Sequence, residues 1–91
     1  MSAQQVVEIS AKMYQCRDQA VFLNGEDGFI EAVRKWTPVF VEVMEKKSCS
    51  EIQALIELLE RAKGKPNEGL LMHILTAVGC ELAEPKFTLE K

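Results

Sequence analysis

The chain has 91 residues, of which 47% are apolar and 27% charged, and its formal net charge is −3 at pH 7. This length suits one domain, and the apolar content is too high for a disordered chain. We predict a single helical domain over residues 1–91. Residues 85–91 are a tail that trails freely, or whose Phe87 and Leu89 pack back or onto a partner. Because the charge is acidic and the basic residues are scattered, the chain lacks the basic stripe of a nucleic-acid binder.

The sequence also indicates where the protein is located and which roles its cysteines do not have. It contains no apolar run near the roughly 18 residues that a membrane span requires. The start, MSAQQVVEIS, lacks the basic and apolar regions of a signal peptide, so we expect a cytoplasmic protein without a membrane partner. Cys16, Cys49 and Cys80 are widely spaced without a C-x-x-C pair, which indicates neither a disulfide framework nor a zinc site.

The first segment, residues 4–23, has the apolar spacing of an amphipathic helix. Its main seam alternates steps of three and four residues, and a second apolar line runs beside it. Gly25 follows the last periodic residue and predicts the end of the helix. The seam comprises Val6, Ile9, Met13, Cys16, Ala20 and Leu23, and the second line comprises Val7, Tyr14 and Val21.

The second segment, residues 27–46, repeats this pattern across a proline. Its seam is Phe29, Val33, Trp36, Phe40 and Val43, and its second line is Ile30, Thr37, Val41 and Met44. Pro38 removes a backbone hydrogen bond and presses on the carbonyl of Arg34. Since the apolar phase does not slip, we favour one kinked helix. The alternative is a broken one, in which Thr37 caps a new helix with Pro38 at its first position.

Two further helices follow from start and stop signals. Ser48 and Glu51 fit a capping box that opens the third segment, and the Gly64 to Pro66 stretch ends it. Asn67 is the expected cap of the fourth segment, which runs to about residue 83 and contains Gly79, where a close helix–helix approach is feasible. We therefore predict an all-α fold, an antiparallel four-helix bundle-like domain with a proline-kinked or broken second helix.

Candidate catalytic and metal-binding groups are sparse. His73 is the only histidine and lies seven residues from Cys80, about 10 Å along a helix, too far for one metal ion or hydrogen bond to join them. A nucleophilic pair of His73 with Cys16 or Cys49 from another helix is the remaining option. Glutamate pairs such as residues 81 and 84 are expected on a solvated face. We expect no enzyme activity, no cofactor and no metal.

The surplus apolar surface points to protein binding. The second lines of the first two segments exceed what a single core needs, although one tight core is the competing interpretation. Trp36 and Tyr14 are residue types that anchor interfaces. The predicted interface residues are Val7, Tyr14, Val21, Ile30, Trp36, Val41 and Met44.

These properties lead to three functional hypotheses. In size and acidity the chain resembles small helical proteins of bacteria and their phages that occupy another protein's surface, such as antiactivators, phage-type inhibitors and immunity proteins. The first hypothesis is therefore a non-enzymatic regulator or inhibitor, a homodimer that binds a protein partner. The second is a structural or assembly subunit of a larger complex. The third is an enzyme or metal protein that uses His73.

Overall fold

The computed structural model describes the backbone of residues 3–87 and the side chains of residue 8 and residues 11–87. This part of the chain forms three helices and no strand: α1 (Ala3–Lys47), α2 (Glu51–Ala62) and α3 (Glu68–Ala83). The prediction of an all-helical fold is confirmed. Four separate helices are not seen, because the predicted first and second segments belong to the single element α1.

The helical backbone of α1 is interrupted at Gly25, where the chain changes direction. Gly25 is the one residue of α1 with a non-helical backbone, at φ 80° and ψ 162°. An uninterrupted 45-residue helix would be about 67 Å long at 1.5 Å per residue, whereas the longest dimension of the molecule is 32 Å. Thus α1 consists of a first arm, residues 3–24, and a second arm, residues 26–47. The Asn24 side chain donates to the carbonyl of Ala20 at 3.0 Å and satisfies one of the last acceptors of the first arm.

Pro38 lies inside the second arm and does not break it. The backbone remains helical on both sides, so the alternative in which Thr37 caps a new helix is not observed. Instead, the Thr37 hydroxyl donates to the carbonyl of Val33 at 2.6 Å, as a helix-interior threonine does. Pro38 and Arg34 are both exposed, so the helix accommodates the missing hydrogen bond on its solvent side. A kink at this point stays a prediction.

The caps of the two shorter helices differ in two respects from the sequence prediction. The capping box of α2 is formed by Ser50 and Gln53, two residues after the predicted start. The Ser50 hydroxyl accepts from the Gln53 amide at 3.3 Å, and the Gln53 side chain accepts from the Ser50 amide at 3.2 Å. Ser48 has a positive φ of 49° and lies in the connection. Asn67 does precede α3, but its side chain makes no capping hydrogen bond.

The core lies where α3 meets α1 and α2. Gly79 permits the close approach, because a Cβ atom placed there would lie 3.2 Å from the Leu55 side chain and 3.4 Å from the Phe40 ring. The close contact expected at this glycine is confirmed. The buried apolar residues are Met13, Cys16, Ala20, Phe29, Val33, Phe40, Val43, Ala54, Leu55, Leu58, Ala62, Leu75, Ala77, Val78 and Cys80.

Candidate functional site

Large apolar side chains are exposed at the end of the molecule where the first arm meets the start of α3. Phe22, Leu23 and Leu70 are 86%, 72% and 71% exposed, and we call these three residues the end patch. Leu23 and Leu70 line an open groove of about 530 Å³ together with Trp36 and Pro66. The groove therefore joins two exposed leucines to the only tryptophan of the chain.

The end patch follows from the position of these residues at helix ends. Phe22 and Leu23 occupy the last turn before Gly25, where the chain leaves the first arm. Ala20 on the same seam is buried, but Leu23, three residues later, is exposed. Leu70 lies in the first turn of α3, at the edge of the helix packing. The apolar seam of the first arm thus continues to Leu23, a position that no other helix buries.

The structure divides the predicted interface residues among different surroundings. Val21, Trp36 and Met44 are half-buried and pack against the core. Tyr14 and Val41 are 38% and 37% exposed.

Three of the predicted interface residues, Ile30, Trp36 and Tyr14, line three different grooves. Ile30 is half-buried and lines a groove with Pro38, Leu82 and Phe87, which is distinct from the groove that Trp36 lines. Tyr14 borders a third cleft, with Ile52. The side chain of the remaining predicted residue, Val7, lies outside the described part of the chain.

A polar cluster that the periodicity did not predict joins the first arm to the end of α3. Arg17 Nη1 lies 3.0 Å from Glu81 Oε1, and Glu81 is fully buried. Glu81 was expected on a solvated face, so this expectation is wrong. Its position three residues after Val78 and seven after Ile74 places it on the apolar stripe, a signal that the sequence did contain.

The same cluster holds the described residues of the tail, 85–87. Glu81 Oε2 accepts from the backbone amides of Lys86 at 2.9 Å and Phe87 at 2.7 Å. The Phe87 ring packs edge-on against Phe29, with 5.8 Å between centroids. Of the three alternatives for the tail, packing back is therefore observed for residues 85–87. Leu89 lies outside the described residues.

Tyr14 also takes part in this cluster. Its hydroxyl donates to the Glu84 carboxylate, and the Arg17 guanidinium lies 5.4 Å from the centre of its ring. The hydrogen bond to Glu84 is the largest cause of a raised Tyr14 pKa, followed by desolvation. Tyr14 thus contributes to an intramolecular contact as well as to the surface.

The structure brings His73 and Cys16 to the wall of one cavity. His73 Nε2 lies 3.1 Å from Gln19 Oε1, and among the described residues no hydrogen bond joins His73 to a thiol. Burial raises the pKa of the Cys16 and Cys80 thiols, which favours the protonated form over the nucleophilic thiolate.

The described residues show neither a metal-ligand cluster nor a helix that could span a membrane. No three histidine, cysteine or carboxylate side chains there come together as a set of metal ligands. No helix in this part of the chain combines the length and apolar character needed to cross a membrane.

A scan against known protein families, a search of curated proteins and a search of solved structures each found no match to the chain.

Proposed function

We propose that this chain is a small non-enzymatic protein that binds a partner protein and regulates or inhibits it by covering part of that partner's surface. The observation that supports the proposal is the end patch, whose three side chains are 71–86% exposed. Leu23 and Leu70 share the wall of one groove, and contiguous apolar surface on a small soluble protein usually marks an interface. Trp36 in the wall of the adjoining groove supplies a residue type that is enriched among binding hot spots.

The magnitude of the burial favours a homodimer through the same patch. Covering each of the three side chains contributes about 1.5–3 kcal/mol, or about 4.5–9 kcal/mol per patch. Association costs about 4–15 kcal/mol in lost freedom, so one patch against a featureless surface gives weak binding. A twofold dimer uses the patch of each copy, which doubles the gain to about 9–18 kcal/mol against the same cost. We therefore propose that the chain without its partner forms a dimer in which the two end patches face each other, and that the partner protein competes with the second copy for this patch.

Sedimentation equilibrium at micromolar concentration tests the dimer. The wild-type chain should give about twice its mass of 10.2 kDa. Leu23→Glu should give a monomer, because it places a charge in the centre of the patch. Val41→Glu is the matched control, since Val41 is exposed but does not line the groove.

The two variants also decide between interfaces. If Val41→Glu is monomeric and Leu23→Glu remains dimeric, the contact lies on the second apolar line of the second arm instead. A wild-type chain that is strictly monomeric at all concentrations refutes the dimer.

The regulatory role is tested by affinity capture from the native host. The wild-type chain should retain one defined protein in a fixed ratio, and Leu70→Glu should lose it while keeping its helical circular dichroism. Higher oligomers of the chain alone would favour the assembly-subunit hypothesis. Equal capture by the wild type and Leu70→Glu contradicts the role of the end patch.

A further inference from the structure

A second, half-open apolar cavity adjoins the groove beside the end patch, and His73 lines both. The first arm, α2 and α3 border this cavity of about 480 Å³, within the roughly 300–1,000 Å³ typical of small-molecule sites. Most of the wall is apolar, and the Thr76 hydroxyl is already satisfied by the carbonyl of Met72 at 2.7 Å. Each of the three helical elements contributes two of the main wall residues, which are Met13, Cys16, Leu55, Leu59, Met72 and Thr76.

The charge around this cavity differs from that of the whole protein. The chain carries a net charge of −3, yet the described residues that line the cavity include Lys12 and no aspartate or glutamate. The Lys12 ammonium makes no ion pair with another described residue. The Lys12 charge reaches the cavity wall, because it lowers the pKa of the Cys16 thiol. Burial of that thiol raises its pKa by more, so the net shift is upward.

The other end of the cavity lies at the start of α3. Gly69, in the first turn of α3, lines the wall there. The first amides of a helix carry a partial positive charge, but the Glu68 carboxylate lies in the same turn and offsets it. The preference of the cavity for an anion therefore rests on Lys12.

We propose that this cavity binds a small amphiphilic anion, an unbranched acyl chain with a carboxylate head beside Lys12. The acyl chain lies along the apolar wall, where methionine side chains adapt to its shape. The carboxylate meets the ammonium at the exposed end, where water also solvates it. This binding is independent of the end patch and of the proposed dimer.

Isothermal titration calorimetry with three ten-carbon probes tests the charge preference. Decanoate should bind more tightly than decanol, and decyltrimethylammonium should bind least, with all three kept below micelle formation. Lys12→Gln should weaken decanoate binding about two- to fivefold, the effect of one exposed ion pair, and leave decanol unchanged. Equal binding of the three probes, or no decanoate binding up to about 1 mM, overturns the proposal.

A plug variant, in which a larger side chain fills the cavity, tests whether decanoate binds there. A Cβ atom at Gly69 meets nothing within 4 Å, so the side chain of Gly69→Leu enters open space. It should reduce decanoate binding at least about tenfold without lowering Tm, whereas Gly69→Ala should retain binding. Leu59→Trp fills the cavity from α2 and is the second plug variant, to be used if Gly69→Leu fails to fold. Wild-type binding by both folded plug variants refutes the location. Leu23→Glu should bind decanoate normally, and loss of binding in that variant would place the probe on the end patch instead.

Discussion

Gly25→Ala isolates the contribution of one backbone conformation to the fold. At φ 80° and ψ 162°, Gly25 occupies a region that is essentially restricted to glycine and costs another residue about 1–3 kcal/mol. A Cβ atom there meets nothing within 4 Å, so the loss comes from the backbone and not from a clash. For a domain of this size, each 1 kcal/mol lowers Tm by about 4–8 °C. We therefore expect Tm to fall by about 4–24 °C.

Thermal unfolding followed by circular dichroism measures this change, with Gly69→Ala as the matched control. A Cβ atom at Gly69 also meets open space, but Gly69 lies in α3 without a positive φ. Alanine there should leave Tm unchanged or raise it, by up to about 1 kcal/mol of helix propensity. If Gly25→Ala melts at or above the wild type, the strain argument is refuted. The variant could also avoid the strain by making α1 one straight helix of about 67 Å. Small-angle scattering would detect this as an increase in the longest dimension of the molecule.

Three other single substitutions and one double variant test contacts of α3 and the polar cluster. Glu81→Gln should lower the free energy of unfolding in urea by about 3–5 kcal/mol, because it leaves the buried Arg17 charge without a counterion. Adding Arg17→Met should recover part of this loss, and an equal or greater loss in the double variant would contradict the pairing. Gly79→Leu should cost about 1–3 kcal/mol through overpacking in the same assay; unchanged stability would argue against the tight contact. Glu84→Gln should lower the raised Tyr14 pKa, measured by tyrosinate absorbance of the only tyrosine, and an unmoved titration would assign the shift to desolvation.

The sequence alone determined the helical class and most of the helix ends. The apolar steps of three and four residues predicted the helices, because a helix brings residues at those spacings to one face. Gly25, Gly64 and Pro85 act through their own backbone preferences, so their effects are readable without a tertiary structure. The close contact at Gly79 was likewise anticipated, since a missing side chain leaves room for a neighbouring helix.

The sequence was less informative where two local signals compete. Ser48 and Ser50 both precede a residue that completes a capping box, and only the path of the connection selects Ser50. The sequence left a kinked and a broken helix open at Pro38; the second arm runs through this residue, and a kink there stays a prediction. Local preference in these cases was weaker than the geometry that the neighbouring helices impose.

Only the tertiary structure decided which apolar and charged groups are covered. Glu81 is buried where the antiparallel course of the first arm along α3 brings Arg17 to it. Leu23 is exposed because its arm ends beyond the helices that cover Ala20 on the same seam. Periodicity assigns a residue to a face of its own helix, whereas burial depends on which other helix reaches that face and where that helix ends.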